Sequence, residues 1–140
     1  MAPLYTRIYT QPVEFNYAIG YAYDALVHGP YPFDAMAAWK GLSERIGQGI
    51  YMGQGLLLPH TRVPGLKGPL MAFVVCRDGF TGIKTRNEET AQFICMLLSP
   101  AESAMAHTVA IANVAKLLLN PEWKEKVLAT TDDEALKQLF

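Results

Sequence analysis

Cysteine is scarce in this sequence, and its scarcity excludes one large class of small proteins. The 140 residues include two cysteines, each within an apolar, strand-like run: Cys76 in residues 72–76 and Cys95 in residues 93–97. Secreted domains that depend on disulfides usually carry more cysteines at conspicuous spacings. We therefore expect two buried free thiols in a reducing compartment.

An excess of charge is also lacking. Lys and Arg total 12 and Asp and Glu total 13, which gives a net charge of −1. Binding to the phosphate backbone of nucleic acid needs a positive surplus, so this balance argues against such a partner. No apolar run approaches the length that crosses a bilayer, and no signal-peptide pattern opens the sequence. We expect a cytoplasmic protein without direct membrane insertion.

Apolar residues, by contrast, are abundant. They make up 51% of a chain that is long enough for one substantial core and too short for two. A single domain over residues 1–140 is therefore predicted.

Hydrophobic periodicity and Gly/Pro punctuation predict an alternation of strands and helices. Strands are expected at 7–15, 56–58, 70–76 and 90–98, with a loop at 61–69 and a short edge segment in 80–85. Helices are expected at 16–27, 32–45, 99–119, 121–129 and 131–140. Nearly continuous apolar strands are typical of a sheet that is covered on both faces. The predicted fold class is α/β, with a mixed sheet between helices.

Three helix starts are predicted from capping residues. Asn16 is expected to cap the first helix. Ser99, with Pro100 at the first helical position and Glu102 three residues on, has the pattern of a capping box. Thr131 is expected to open the last helix in the same way, with Glu134 as its partner.

The stretch from Gly53 to His60, Gly-Gln-Gly-Leu-Leu-Leu-Pro-His, is the centre of the functional prediction. The two glycines favour a tight turn, and the leucines favour a short buried strand. Pro59 cannot donate to a strand ladder, so the strand should stop or lie at a sheet edge there. His60 would then be held at the rim, either as a functional group or as an ordinary strand end.

Other uses of these residues are less well supported. A nucleotide site is not predicted from the glycine-rich stretch, which contains Gly47, Gly49, Gly53 and Gly55. The stretch lacks the Gly-Lys-Ser/Thr ending of a P-loop, and it does not match the dinucleotide-binding motif. His107 lies on a predicted helix, where a half-buried polar residue is the simplest interpretation. A metal site formed by His60, His107 and Cys95 is a further alternative, although no carboxylate stands at ligand spacing.

The run from Gly53 to His60 resembles the sequence around the phosphorylated histidine in enzyme IIA components of the phosphoenolpyruvate-dependent sugar phosphotransferase system. The resemblance is to the fructose/mannitol type, which includes the nitrogen-regulatory paralogue. Residues 98–118, with a Pro-Ala turn before a helix that carries His107, are similar to the family's second active-site segment. The likeness extends over most of the chain from about residue 24.

The resemblance implies a phosphoryl relay without metal or other cofactor. His60 would accept the phosphoryl group on Nε2, and His107 would donate a hydrogen bond to it. Arg45, Gly53, Gly55 and Thr61 would support the site. The implied donor is a phosphorylated HPr-like carrier protein, and the implied recipient is an enzyme IIB component or a regulatory target.

A non-catalytic regulatory module of the same fold is the alternative. Thr61 stands where the family commonly has glycine, and Glu44 stands where it often has arginine, with Arg45 one residue on. A face-on partner would dock on an apolar patch around His60, for which Tyr51, Met52, Pro64 and Leu66 are the expected members.

Overall fold

The computed structural model describes residues 3–140 of the chain. The strands are β1 Tyr5–Tyr9, β2 Val13–Glu14, β3 Leu56–Leu57, β4 His60–Val63, β5 Leu70–Cys76, β6 Phe80–Thr81 and β7 Phe93–Pro100. The helices are α1 Phe15–Val27, α2 Ala35–Gln48, α3 Ala104–Leu118, α4 Pro121–Ala129 and α5 Asp133–Lys137.

The main sheet is mixed, as predicted. Its strand order is β1-β5-β7-β3, and β4 follows β3 alongside β7. β5 and β7 are antiparallel, whereas β1, β3 and β4 run parallel to their neighbours. β2 and β6 form a separate parallel pair. Because β4 has no partner beyond β7 among the described residues, it forms an edge of the sheet.

Helices cover both faces of this sheet and divide the core in two. Alternate residues of β7 point to opposite faces: Ile94, Met96 and Leu98 join the core under α1 and α2, whereas Phe93, Cys95 and Leu97 join the core under α3, α4 and α5. Both cysteines are buried free thiols. The predicted α/β fold with helices on both faces is confirmed.

The N-terminal part differs from the prediction in two places. The strand expected over 7–15 is interrupted, because residues 10–12 leave the ladder and β2 resumes at Val13. Asn16 is not a cap, since α1 begins one residue earlier and its N-cap is Glu14, without a side-chain hydrogen bond.

The start of α3 is the largest correction. Ser99 and Pro100 belong to β7, and the helix begins only at Ala104, with Ser103 as its N-cap. The capping-box pattern is therefore misleading: Glu102 accepts a hydrogen bond from the Gly65 N–H instead. The parallel pairing of β7 with β4 extends through these two residues and takes precedence over their local preference for a helix start.

Smaller corrections follow along the chain. The segment 61–63, expected as loop, continues the sheet as β4. α2 runs from Ala35 to Gln48 with Asp34 as its cap, three residues later than predicted at each end. The last helix is capped by Asp132 rather than Thr131 and ends at Lys137. The start of α4 at Asn120-Pro121 is as predicted.

Gly41 allows α2 to lie close to β4. A Cβ atom on Gly41 would come within 2.5 Å of the Thr61 hydroxyl oxygen. Thr61 follows His60 directly, so this contact fixes the distance between α2 and the strand that carries the histidine. Gly47 lies on the same helix, but a Cβ atom added there would meet no described residue within 4 Å.

These two glycines make a matched pair for a stability test. Gly47→Ala should raise the free energy of unfolding by roughly 0.5–1 kcal/mol, because alanine loses less entropy in a helix. Gly41→Ala should lower it by about 1–3 kcal/mol, because the added methyl group overpacks against Thr61. Chemical denaturation of both variants measures the difference.

The double variant Gly41→Ala/Thr61→Ala is the control, because it removes the hydroxyl group that causes the clash. It should recover most of the loss. Equal stabilisation by both single alanine substitutions would contradict the close contact.

Candidate functional site

The side chain of His60 is oriented by a hydrogen bond from its own strand. Its Nδ1 atom lies 2.8 Å from the carbonyl oxygen of Leu58. A carbonyl oxygen can only accept, so Nδ1 carries a hydrogen, and in the neutral ring Nε2 keeps its lone pair. The ring is partly exposed at the sheet edge. His60 therefore presents a nucleophilic nitrogen that a partner can reach.

His107 lies next to His60 in space, although 47 positions separate them in the sequence. The ring centroids are 5.3 Å apart, with 35° between the ring planes. His107 comes from the first turns of α3 and is 7% exposed. Its Nδ1 atom lies 2.7 Å from the hydroxyl oxygen of Ser99. The two histidines predicted from the sequence thus meet in one place.

The register of β4 decides which other side chains join the histidines. His60 pairs with Leu97 and Arg62 pairs with Ser99, so these side chains all lie on the face covered by α3. Arg62 and Ser99 are site residues that the sequence analysis missed. Their only signal was the two-residue spacing along a strand, and 61–63 was expected to be loop.

Thr61 lies on the opposite face. Its hydroxyl group points toward Gly41 of α2, away from the His60–His107 pair. Arg45 is on the same side, where it lines a hollow of about 300 Å³ together with Thr61, Gly41, Glu44 and Gln48. Its charge nevertheless reaches His107.

Burial and neighbouring positive charge favour the neutral form of His107. Its pKa is lowered from the ordinary value of 6.5, mainly by burial and then by the neighbouring His60, Arg62 and Arg45. A neutral imidazole has one N–H donor and one bare nitrogen. His107 can therefore donate a single hydrogen bond from its ring at neutral pH.

The glycine turn lies at the other end of the motif. Gly53, Gln54 and Gly55 all have positive φ angles, between 55° and 85°. The carbonyl oxygen of Gly55 accepts hydrogen bonds from Gln92 and Phe93. His60 lies five positions after Gly55 along extended chain, or roughly 16 Å at about 3.3 Å per residue. The structure therefore does not bring Gly53 or Gly55 to the histidines.

The expected docking patch is not formed by the residues named for it. Leu66 is only 3% exposed and belongs to the core under α1 and α2. Tyr51 and Met52 lie beside the glycine turn, where the Tyr51 hydroxyl accepts from the Gly55 N–H. Pro64 is exposed and directly follows β4.

The alternative metal site has no ligand set in the described part of the chain. Cys95 is fully buried in β7, and burial raises the pKa of its thiol to about 12, so it stays protonated. Over residues 3–140, no three side chains of His, Cys, Asp or Glu are grouped as metal ligands. Within the same residues, no helix combines the length and apolar character needed to cross a membrane.

The lowered pKa of His107 predicts acid-sensitive stability. In the unfolded chain His107 regains its ordinary pKa, so below about pH 6.5 the unfolded state binds more protons than the folded state. Stability is therefore complete above that pH and falls as the pH decreases toward the folded pKa. Urea unfolding over about pH 5 to pH 8 measures this slope.

The variant His107→Asn lacks the titrating group and should show a flatter slope than the wild type. The control is His28→Asn, because His28 is exposed at the end of α1. The same slope in the wild type and His107→Asn would contradict the assignment.

Solved structures of other proteins resemble this chain in fold. A search of curated proteins finds no significant match. Nitrogen regulatory protein IIA-Ntr from Neisseria meningitidis has a similar structure, with a TM-score of 0.79 and 17% identity over 97% of this chain and 92% of that one. IIA mannitol from Escherichia coli has a TM-score of 0.70 and 16% identity, over 95% and 94% of the two chains.

A chain in the NMR structure of enzyme IIA mannitol with phosphorylated enzyme IIB mannitol, also from Escherichia coli, is similar too. Its TM-score is 0.71 and its identity 15%, over 95% of this chain and 92% of that one. At these identities the structural likeness establishes the fold. The family follows from the sequence, because residues 11–140 match the family described as "Phosphoenolpyruvate-dependent sugar phosphotransferase system, EIIA 2". The resemblance inferred from the sequence is confirmed: the chain belongs to the EIIA 2 family of the phosphoenolpyruvate-dependent sugar phosphotransferase system.

Proposed function

We propose that the protein is a phosphocarrier that accepts a phosphoryl group on Nε2 of His60. The hydrogen bond between His60 Nδ1 and the Leu58 carbonyl is the observation that carries this proposal, because it leaves the Nε2 lone pair free. His60 is partly exposed and needs no base to remove a proton from Nε2 before it attacks. Membership of the EIIA 2 family supplies the reaction class.

The transfer is balanced without a metal ion or a net proton movement. The donor is a phosphorylated HPr-like carrier protein with a phosphohistidine. As the bond from Nε2 of His60 to phosphorus forms, the bond from phosphorus to the donor nitrogen breaks, and that nitrogen leaves with its electron pair. Nδ1 of His60 keeps its hydrogen and its bond to Leu58 throughout. Such a loose transition state mainly needs positioning and charge stabilisation.

The neighbours of His60 can supply that stabilisation. The N–H group of neutral His107 donates to a phosphoryl oxygen, and the Arg62 guanidinium lies on the same face of the sheet. Arg45 contributes its positive charge from the α2 side. Two exposed cations stabilise the phosphoryl group without enclosing it, as a relay requires when the group must leave again.

The recipient is an enzyme IIB component or, in a regulatory role, a target protein that distinguishes the two phosphorylation states. One structurally similar chain was solved together with phosphorylated enzyme IIB mannitol. In the present chain, Met105 and Val109 are 75% and 48% exposed, one helical turn apart on the helix that carries His107. Exposed apolar side chains on the helix that carries His107 offer a contact surface to a protein partner.

The non-catalytic alternative loses part of its support. Thr61, which differs from the glycine common in the family, points toward α2 rather than toward the histidines. Its side chain therefore adds no bulk between His60 and His107. Phosphorylation of the purified protein distinguishes a relay from a binding module.

The test is phosphorylation of His60 in a reconstituted relay. The protein is incubated with phosphoenolpyruvate, enzyme I and an HPr-like carrier, from the sugar branch or from the nitrogen branch, and its intact mass is measured at neutral pH. We expect an increase of one phosphoryl group that His60→Ala abolishes and the control His28→Ala retains. No modification by either carrier would support the binding module, and modification of His60→Ala would place the acceptor elsewhere.

Arg62 provides a second prediction. Arg62→Gln should slow phosphorylation of His60 roughly tenfold to a hundredfold, because a charge-assisted hydrogen bond contributes about 1.5–3 kcal/mol. It should also raise the pKa of His107, since a positive neighbour is removed. Stopped-flow transfer kinetics and NMR titration measure the two effects.

The matched control for Arg62 is Arg7→Gln. Arg7 lies in β1, at the opposite edge of the sheet, where its guanidinium packs over Tyr9. This variant should transfer phosphoryl groups at the wild-type rate. Equal phosphorylation rates in Arg62→Gln and Arg7→Gln would show that Arg62 does not assist the transfer.

A further inference from the structure

Ser99 is the one polar residue in a strand that is otherwise apolar. β7 reads Phe-Ile-Cys-Met-Leu-Leu-Ser-Pro, and every one of its residues is buried. Ser99 itself is 0% exposed. A buried hydroxyl group without a partner carries a desolvation cost. Its hydrogen bond with Nδ1 of His107, at 2.7 Å, offsets that cost.

The direction of this hydrogen bond determines what His107 can do. A serine hydroxyl group can donate or accept, and a neutral imidazole has one nitrogen of each kind. If Ser99 accepts from Nδ1–H, then Nε2 of His107 is bare and cannot donate. If Ser99 donates to Nδ1, then Nε2 carries the hydrogen and is the free donor of the ring.

The neighbouring histidine favours the second arrangement. The Leu58 carbonyl holds the hydrogen of His60 on Nδ1 and leaves the other nitrogen bare. A bare nitrogen on His107 as well would place two acceptor rings side by side at 5.3 Å, with no donor between them. A hydrogen on Nε2 of His107 makes the two rings complementary, and it also complements any oxyanion bound to His60.

We infer that Ser99 is a positioning residue: its hydroxyl group donates to Nδ1 of His107 and holds that ring in the Nε2–H tautomer, ready to donate to a group carried by His60. The tautomer follows from the geometry of Ser99, His107 and His60. The step that involves the phosphoryl group also depends on the proposed function. Ser99 would act only through His107.

The position of Ser99 is fixed by the sheet rather than by a loop. It pairs with Arg62 of β4, two residues along from the pairing of His60 with Leu97. His107 follows eight residues after Ser99, across a short turn and the first turn of α3. Both partners of the hydrogen bond are therefore tied to β7 and to the strand of His60. A tautomer set in this way is present before any partner arrives.

The test reads the tautomer directly, by long-range ¹H–¹⁵N correlation NMR of the ¹⁵N-histidine protein at neutral pH. We expect the His107 signals of the wild type to show the Nε2–H pattern. Ser99→Ala should shift them toward a mixture of tautomers, and Ser99→Thr, which keeps the hydroxyl group, should restore the wild-type pattern. Cys95→Ala is the matched control, because it removes one heavy atom from a buried position on the same face of β7.

Two results would overturn the inference: an Nδ1–H pattern for His107 in the wild type, or an unchanged pattern in Ser99→Ala. If Ser99→Thr does not fold, Ser99→Ala against Cys95→Ala still decides the point. Phosphorylation of His60 should be several-fold slower in Ser99→Ala than in Cys95→Ala, and an equal rate would end the positioning role. If the wild type accepts no phosphoryl group, the proposed function fails, and the NMR pattern still decides whether Ser99 sets the tautomer.

Discussion

The parallel pairing of β4 with β7 is the constraint on which the site depends. It places Arg62 beside Ser99 and His60 beside Leu97, and strand alternation then turns these side chains toward α3. A register shift of one residue would exchange the faces, with Thr61 directed toward His107 and His60 toward α2. Because Val63 of β4 is buried in the core under α1 and α2, the same shift would remove its apolar side chain from that core, which disfavours it.

The electrostatics of the site follow from this arrangement. One histidine is at the rim and keeps its hydrogen on the backbone side, and the other is buried and kept neutral by desolvation and by nearby positive charge. The cations that lower the pKa of His107 are also the ones that would attract a phosphoryl group. A neutral donor and two solvent-exposed cations bind such a group less tightly than a buried cluster of arginines would. In the proposed relay, the same charges would therefore serve both capture and release.

The sequence predicted the parts of this molecule that depend on local hydrophobic periodicity or on a short sequence motif. The α/β class, β5, the start of α4 and the meeting of His60 with His107 were predicted, the last of these through family resemblance. The prediction failed where pairing with a distant strand decides the outcome. Ser99-Pro100 is a sequence typical of a helix N-terminus, but pairing with β4 keeps both residues in the sheet. Since 61–63 was expected as loop, the proposed role of Arg62 and the orientation of Thr61 toward α2 could not be foreseen.

The two ends of the Gly53–His60 motif have different structural roles. Its first residues form a turn with three positive φ angles, and the Gly55 carbonyl accepts from two successive N–H groups at the start of β7. This anchors the register at Leu56 with Phe93, and each following residue advances one step along the same strand. Pro59 lacks an N–H group, but its carbonyl accepts from Leu97, so the ladder is continued without it. The number of residues between Gly55 and His60 therefore sets how far along β7 the histidine lies. This spacing places the imidazole beside His107.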